Sequence, residues 1–172
     1  SSAFLSSHDD CIAIVIDGVG EFDSTSIWHL KNGNFQKVGN VEVPDSIGLL
    51  YAAITSFLSF EVNEGEYKVM GLASFGEPRF ASKIRAQVQL FNSLENPYSI
   101  SQEYFDLSGS SELLYKNSLA NLLDLKPLRL ENNFTYDSLP GEVFQKYADL
   151  ASSIQLVVGE IVEHIFALAK KD

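Results

Sequence analysis

Two short stretches gather the residue types that chemistry needs. The first is Asp17-Gly18-Val19-Gly20-Glu21, set directly after the apolar run CIAIVI and shortly before Thr25-Ser26. Glycines let a backbone come close to a ligand, and an aspartate at a strand end can hold a divalent cation beside phosphate oxygens. A plain hairpin begins with the same strand and Asp-Gly turn, so these residues alone leave both readings standing. The second stretch is Asn63-Glu64-Gly65-Glu66-Tyr67-Lys68, running on to Gly71 and Ala73. It brings two carboxylates, a phenol and a lysine within one or two helical turns. Glu64 and Lys68 have the spacing of a surface ion pair worth about 0.3 kcal/mol. Against that bland reading, Gly65, Gly71 and Ala73 interrupt a good helix, which costs stability unless something must approach closely.

Other chemistries lack their residues. His8, His29 and His164 show no metal-ligand spacing, no CxxC or HxxxH pair occurs, and no serine sits in a GxSxG turn. A net charge of -11, with the 12 Lys and Arg scattered, excludes a nucleic-acid partner and an anionic membrane surface. The single cysteine, Cys11, heads an apolar run and reads as a small core residue in a reducing cytoplasm. No segment reaches the roughly 18 to 20 uninterrupted apolar residues of a membrane span, and the N-terminus lacks a signal-peptide pattern.

The elements that must position these residues follow from periodicity. Residues 11 to 18 form a continuous β-branched run, the pattern of a central strand buried on both faces. Residues 25 to 30 and 35 to 43 read as strands around an Asn32-Gly33-Asn34 turn, which gives a three-stranded antiparallel meander. Ser46 caps a helix carrying Ile47, Leu50, Tyr51, Ile54, Phe57 and Leu58. Residues 65 to 72 and 82 to 91 read as helices, 104 to 107 as a short strand, Ser108-Gly109-Ser110-Ser111 as a turn and 112 to 123 as a helix. The strongest pattern is the last: Phe144, Tyr147, Leu150, Ile154, Val157, Ile161, Ile165 and Leu168 mark a long helix opened by Pro140. Ala148, Ala151 and Val158 widen its stripe beyond a coiled-coil seam, so packing against a sheet is expected.

The blocks VIDGVGE, TSIW, SIGLLYAAIT and NEGEYKVMGLASFGEP, in that order, resemble the N-terminal domain of nodulation-type O-carbamoyltransferases. The opening SSAFLSS is similar to the small residues and phenylalanine directly after that family's HHxSHA motif. The closing helix is similar to the one that precedes its Gly-Gly-x-x-x-Asn nucleotide loop. The resemblance implies an α/β fold, a ribonuclease-H-like half of the actin and Hsp70 ATPase superfamily, with residues 1 to 172 a single partial domain between those two motifs. It implies a parent enzyme that makes carbamoyl-adenylate from ATP and carbamoyl phosphate and passes the carbamoyl group to a small-molecule acceptor hydroxyl.

On the same resemblance, Asp17 is one ligand of a divalent metal, iron, shared with upstream histidines. Gly18 and Gly20 approach the adenylate phosphate, with Thr25 or Ser26 donating hydrogen bonds there. Gly65, Glu66 and Lys68 fall at the substrate or adenylate pocket, Lys68 neutralising developing charge and Glu66 accepting the acceptor's proton or orienting Lys68. An isolated fragment is expected to be inactive. Two rival readings remain: a sugar-kinase-like or chaperone-like ATP-binding module without carbamoyl transfer, and a structural domain forming a homodimer through its long helix.

Overall fold

The computed structural model describes residues 8–108, 113–129, 136 and 139–171. The Ser1–Ser7 block and the turn at 109–111 lie outside the described residues. The chain is a mixed α/β structure whose strands are antiparallel. Its main sheet has the order β1 (Asp10–Ile16), β2 (Asp23–Lys31) and β3 (Asn34–Glu42). The pairing Asp10↔Lys31 to Ile16↔Thr25 runs unbroken, whereas the β2–β3 ladder shifts register near Asp23 and again near Ile27. Asn32 and Gly33 both have positive φ, as a tight turn between right-twisted strands requires.

The expected meander is therefore present, but among the described residues β1 lies at the edge of the sheet and not at its centre. Ile12 and Ile14 face the core, where Ile14 lies opposite fully buried Ile27. At the other edge, Asn40 N–H donates to the Glu95 carbonyl at 3.1 Å, so the segment around residue 95 covers β3.

Among the described residues five helices follow: α1 (Ile47–Phe57), α2 (Glu66–Ala73), α3 (Ala81–Arg85), α4 (Ser118–Leu123) and α5 (Gly141–Ala169). Helix α1 starts where the sequence places it, because Ser46 Oγ accepts from Leu49 N–H at 3.1 Å. Two helices are shorter than their periodicity suggests. The 82–91 stretch divides into α3 and β4 (Val88–Leu90), which pairs with β5 (Tyr98–Ile100). The 112–123 stretch keeps only α4, since Tyr115 is drawn into a bridge with Phe105, all that forms of the expected 104–107 strand. In both cases a local backbone pairing outcompetes helix propagation over a few residues.

Helix α5 organises the interior, burying Tyr147, Leu150, Ile154, Val157, Ile161, Ile165 and Leu168 along one stripe against α1, α2 and α3. It thus packs on helices where packing on a sheet is expected from its pattern. Its length and hydropathy also suit a membrane span, although no run of uninterrupted apolar residues in the sequence meets that test. The buried stripe identifies it as a core helix within this fold.

The ASFGEPR segment locks onto α5. A β-carbon at Gly76 would lie 2.0 Å from the Ala148 carbonyl oxygen, so only glycine fits there. Buried Asp149 accepts from Glu77 N–H at 2.9 Å and from Gln145 Nε2 at 2.8 Å, with Arg79 Nε 3.5 Å away.

Candidate functional site

The loop after β1 is closed by Asp17 N–H donating to the Ser24 carbonyl at 2.8 Å. Asp17 Oδ1 accepts from Gly18 N–H at 2.7 Å, and the residue is exposed. Gly20 has φ of +60°, and a β-carbon there would stand 2.4 Å from the Asp23 carbonyl oxygen. The turn itself therefore demands that glycine. Gly18 differs, because a β-carbon on it would meet nothing within 4 Å. Its open side is available to a ligand.

The start of α1 supports this turn from below. Ser46 Oγ donates to the Gly18 carbonyl at 2.5 Å while capping its own helix. Gly48 comes so close that a β-carbon would lie 2.7 Å from Gly18 Cα. Two turns of different elements are thereby fused backbone to backbone.

An open cavity of about 800 Å³ lies over this junction. It is lined by Asp17, Gly18, Gly20 and Glu21 of the turn after β1, Gly48 and Ala52 of α1, and Asn63 and Glu66 at the start of α2. It carries three carboxylates and no lysine or arginine among its lining residues. Asn63 adopts φ of +71°, a left-handed conformation that asparagine tolerates better than most residues. Its N–H donates to Glu66 Oε1 at 2.9 Å, which fixes the Glu66 carboxylate at the start of α2. Nearby, Tyr51 O–H donates to Gln155 Oε1 at 3.0 Å. Burial pushes its phenol up to about 12, and the Glu66 charge adds to the effect.

The structure therefore brings Asp17, Gly18, Gly20 and Glu66 together and places the other sequence-derived candidates elsewhere. Thr25 is fully buried and its hydroxyl is hydrogen-bonded to Tyr98 Oη at 2.9 Å, on the core side of the sheet. Ser26 Oγ accepts from Trp28 Nε1 at 2.9 Å. Gly65 is explained by packing, since a β-carbon would fall 2.6 Å from the Glu61 carbonyl oxygen and 2.7 Å from Phe60 Cβ. Lys68 does not line the cavity; its Nζ lies 5.8 Å from the Tyr67 ring centre and 6.0 Å from that of Phe60. Helix geometry accounts for the split, because Glu66 and Lys68 are two positions apart and point to different sides.

Asn63, which opens the second block, and Gly48 are cavity residues to which reading for chemistry gives no role. The signals available were a non-glycine residue beside a Gly-flanked helix start, and a glycine two positions after a cap. The family resemblance also implies a metal. Among the described residues no group of three or more His, Cys, Asp or Glu side chains is arranged to hold one. Asp17 supplies a single carboxylate, so these residues do not make a metal site by themselves. His29 pairs with Asp10 at 2.6 Å and His164 with the Phe91 carbonyl at 2.8 Å, both away from the cavity.

Comparison with known proteins adds an independent line. A family profile described as carbamoyltransferase N-terminus matches residues 1–171. The Synechocystis protein sll1178, which has no described function, is 32% identical over 162 residues, covering 94% of this chain and 25% of that protein. Nodulation protein NolNO of Sinorhizobium fredii is 35% identical over 78 residues, 45% of this chain and 11% of its own length. The Methanocaldococcus jannaschii protein MJ1051, also uncharacterised, is 35% identical over 71 residues, 41% of this chain and 14% of its own. The chain spans about a quarter or less of each relative.

Proposed function

This chain belongs to the carbamoyltransferase N-terminal family, and from that premise we propose that its parent protein transfers the carbamoyl group of carbamoyl-adenylate to an acceptor hydroxyl at the cavity between Asp17 and Glu66. The observation that carries the proposal is the convergence of two separate sequence blocks on one cavity: Asp17, Gly18 and Gly20 from the first, Glu66 from the second. ATP and carbamoyl phosphate are the precursors of the donor in this reading. A ribonuclease-H-like half-domain is the fold that we infer for the meander and the helices after it.

The chemistry asked of these residues is modest. The acceptor oxygen attacks the carbamoyl carbon, the bond from that carbon to the adenylate phosphate oxygen breaks, AMP leaves and the acceptor proton is released. Glu66, with one carboxylate oxygen held by Asn63 N–H and the other free, is placed to take that proton. The open face of Gly18 gives the carbamoyl group room beside the backbone. A lining with three carboxylates and no basic residue suits an acceptor hydroxyl better than a phosphate, whose charge would then be met by groups beyond this lining. Lys68 receives no chemical step, because it stands over aromatic rings away from the cavity. A metal held by Asp17 with ligands from outside these residues would polarise the carbamoyl carbonyl.

The test is Glu66→Gln in the full-length protein supplied with ATP, carbamoyl phosphate and candidate polyols. Transfer is expected to fall by about 10²- to 10⁴-fold, as for loss of a general base, while pyrophosphate release persists. Phosphoryl transfer to an acceptor with no need for carbamoyl phosphate would overturn the reading in favour of a sugar-kinase-like module.

A further inference from the structure

We propose that the acceptor carries apolar surface close to its reacting hydroxyl and that Val19 selects for it, an inference that rests on the transfer site proposed above and names the class of acceptor that site takes. Polar residues usually occupy the exposed tips of tight turns. Val19, between the two glycines of the turn after β1, is instead 51% exposed and lines the cavity. A lone exposed valine is ordinary on an open protein surface. This one lies in a concavity, and Leu49 and Ala52 of α1 line the same space. Apolar side chains with a few converging polar groups are the usual lining of a small-molecule site.

The position of Val19 in the turn ties it to the reaction. Its neighbour Gly18 has empty space where a β-carbon would stand, the room assigned above to the carbamoyl group. The part of the acceptor next to the attacking oxygen then comes against residue 19. The charged groups of the lining, Asp17, Glu21 and Glu66, are all carboxylates. They accept hydrogen bonds from hydroxyls and repel an acceptor that bears phosphate or carboxylate. Among neutral acceptors they discriminate little. Drawing water away from Val19 and Leu49 is favourable only for a molecule with carbon surface to place there, so the apolar lining makes the choice.

The experiment supplies the full-length protein with ATP and carbamoyl phosphate and compares methyl glucoside with butyl glucoside as acceptor. The two share every hydroxyl and differ in their alkyl group alone. A kcat/KM in favour of butyl glucoside by about tenfold is expected. The preference should fall below about threefold in Val19→Ser and persist in Val19→Leu, which keeps the side chain apolar. Equal use of the two glucosides by the parent protein overturns the inference, as does transfer to neither while pyrophosphate is released. So does a preference that survives Val19→Ser; a lowered denaturant midpoint in that variant would then show Val19 to be covered by another part of the protein. Transfer that Glu66→Gln leaves at the parent level overturns the site itself, which separates the two failures.

Discussion

Gly48 at the start of α1 presses on Gly18 in the turn after β1, with no space for a β-carbon between them. The contact sets the position of Asp17, because Ser46 holds the Gly18 carbonyl from the same helix start. Alanine at position 48 raises helix propensity by up to about 1 kcal/mol. That gain is smaller than the cost of forcing two backbones apart, about 1–3 kcal/mol for overpacking. Gly48→Ala is expected to lower the denaturant midpoint and to reduce carbamoyl transfer more than adenylate formation. An unchanged midpoint would show that the turn is not braced by α1.

Two glycines of the ASFGEP region and its preceding helix should respond in opposite directions. Gly71 lies within α2 with open space at its β-position, so Gly71→Ala is expected to stabilise the fold by about 0.5–1 kcal/mol. Gly76 abuts the Ala148 carbonyl, so Gly76→Ala is expected to destabilise it by about 1–3 kcal/mol. Thermal melting of the two variants side by side distinguishes them.

Thr25 is a stability residue and not a phosphate ligand in this account. Thr25→Val keeps the shape and leaves the Tyr98 hydroxyl without that partner, at a cost of about 1–3 kcal/mol. Transfer activity per folded molecule, measured after correcting for the unfolded fraction, is expected to stay at the parent level.

Tyr51 makes stability fall at high pH. Burial, with help from Glu66, raises its phenol from 10.0 to about 12 in the folded state. A raised folded value means that the contribution is fully present below pH 10, where the phenol is neutral folded or unfolded. It is lost as pH rises from about 10 to 12, because the unfolded state ionises first. About 2–3 kcal/mol is at stake for a shift of this size. Chemical denaturation across that range, compared with Tyr51→Phe, is expected to show a shallower loss in the variant.

Much of this arrangement was legible in the residues. The Asn32-Gly33 turn, the Ser46 cap and the apolar stripe of α5 each announce their element through a local rule, and each element forms. What escaped were outcomes settled by contacts outside the segment being read. Whether 82–91 stays helical depends on β5 pairing with residues 88–90, and whether Thr25 faces a ligand or the core depends on Tyr98. The CIAIVI run signalled a central strand, whereas among the described residues β1 stands at the edge of its sheet. For the cavity, the Asp-Gly turn and the glutamate-rich helix start were visible separately, and only the fold brings Asp17 and Glu66 to one cavity.

The most direct test separates the two half-reactions in the full-length protein carrying Asp17→Ala. Pyrophosphate release from ATP in the presence of carbamoyl phosphate is measured beside carbamoyl transfer to an acceptor polyol. The account predicts that pyrophosphate release stays within about twofold of the parent while transfer drops by at least about 100-fold. Equal loss of both, or transfer that survives, would contradict a transfer site at this cavity.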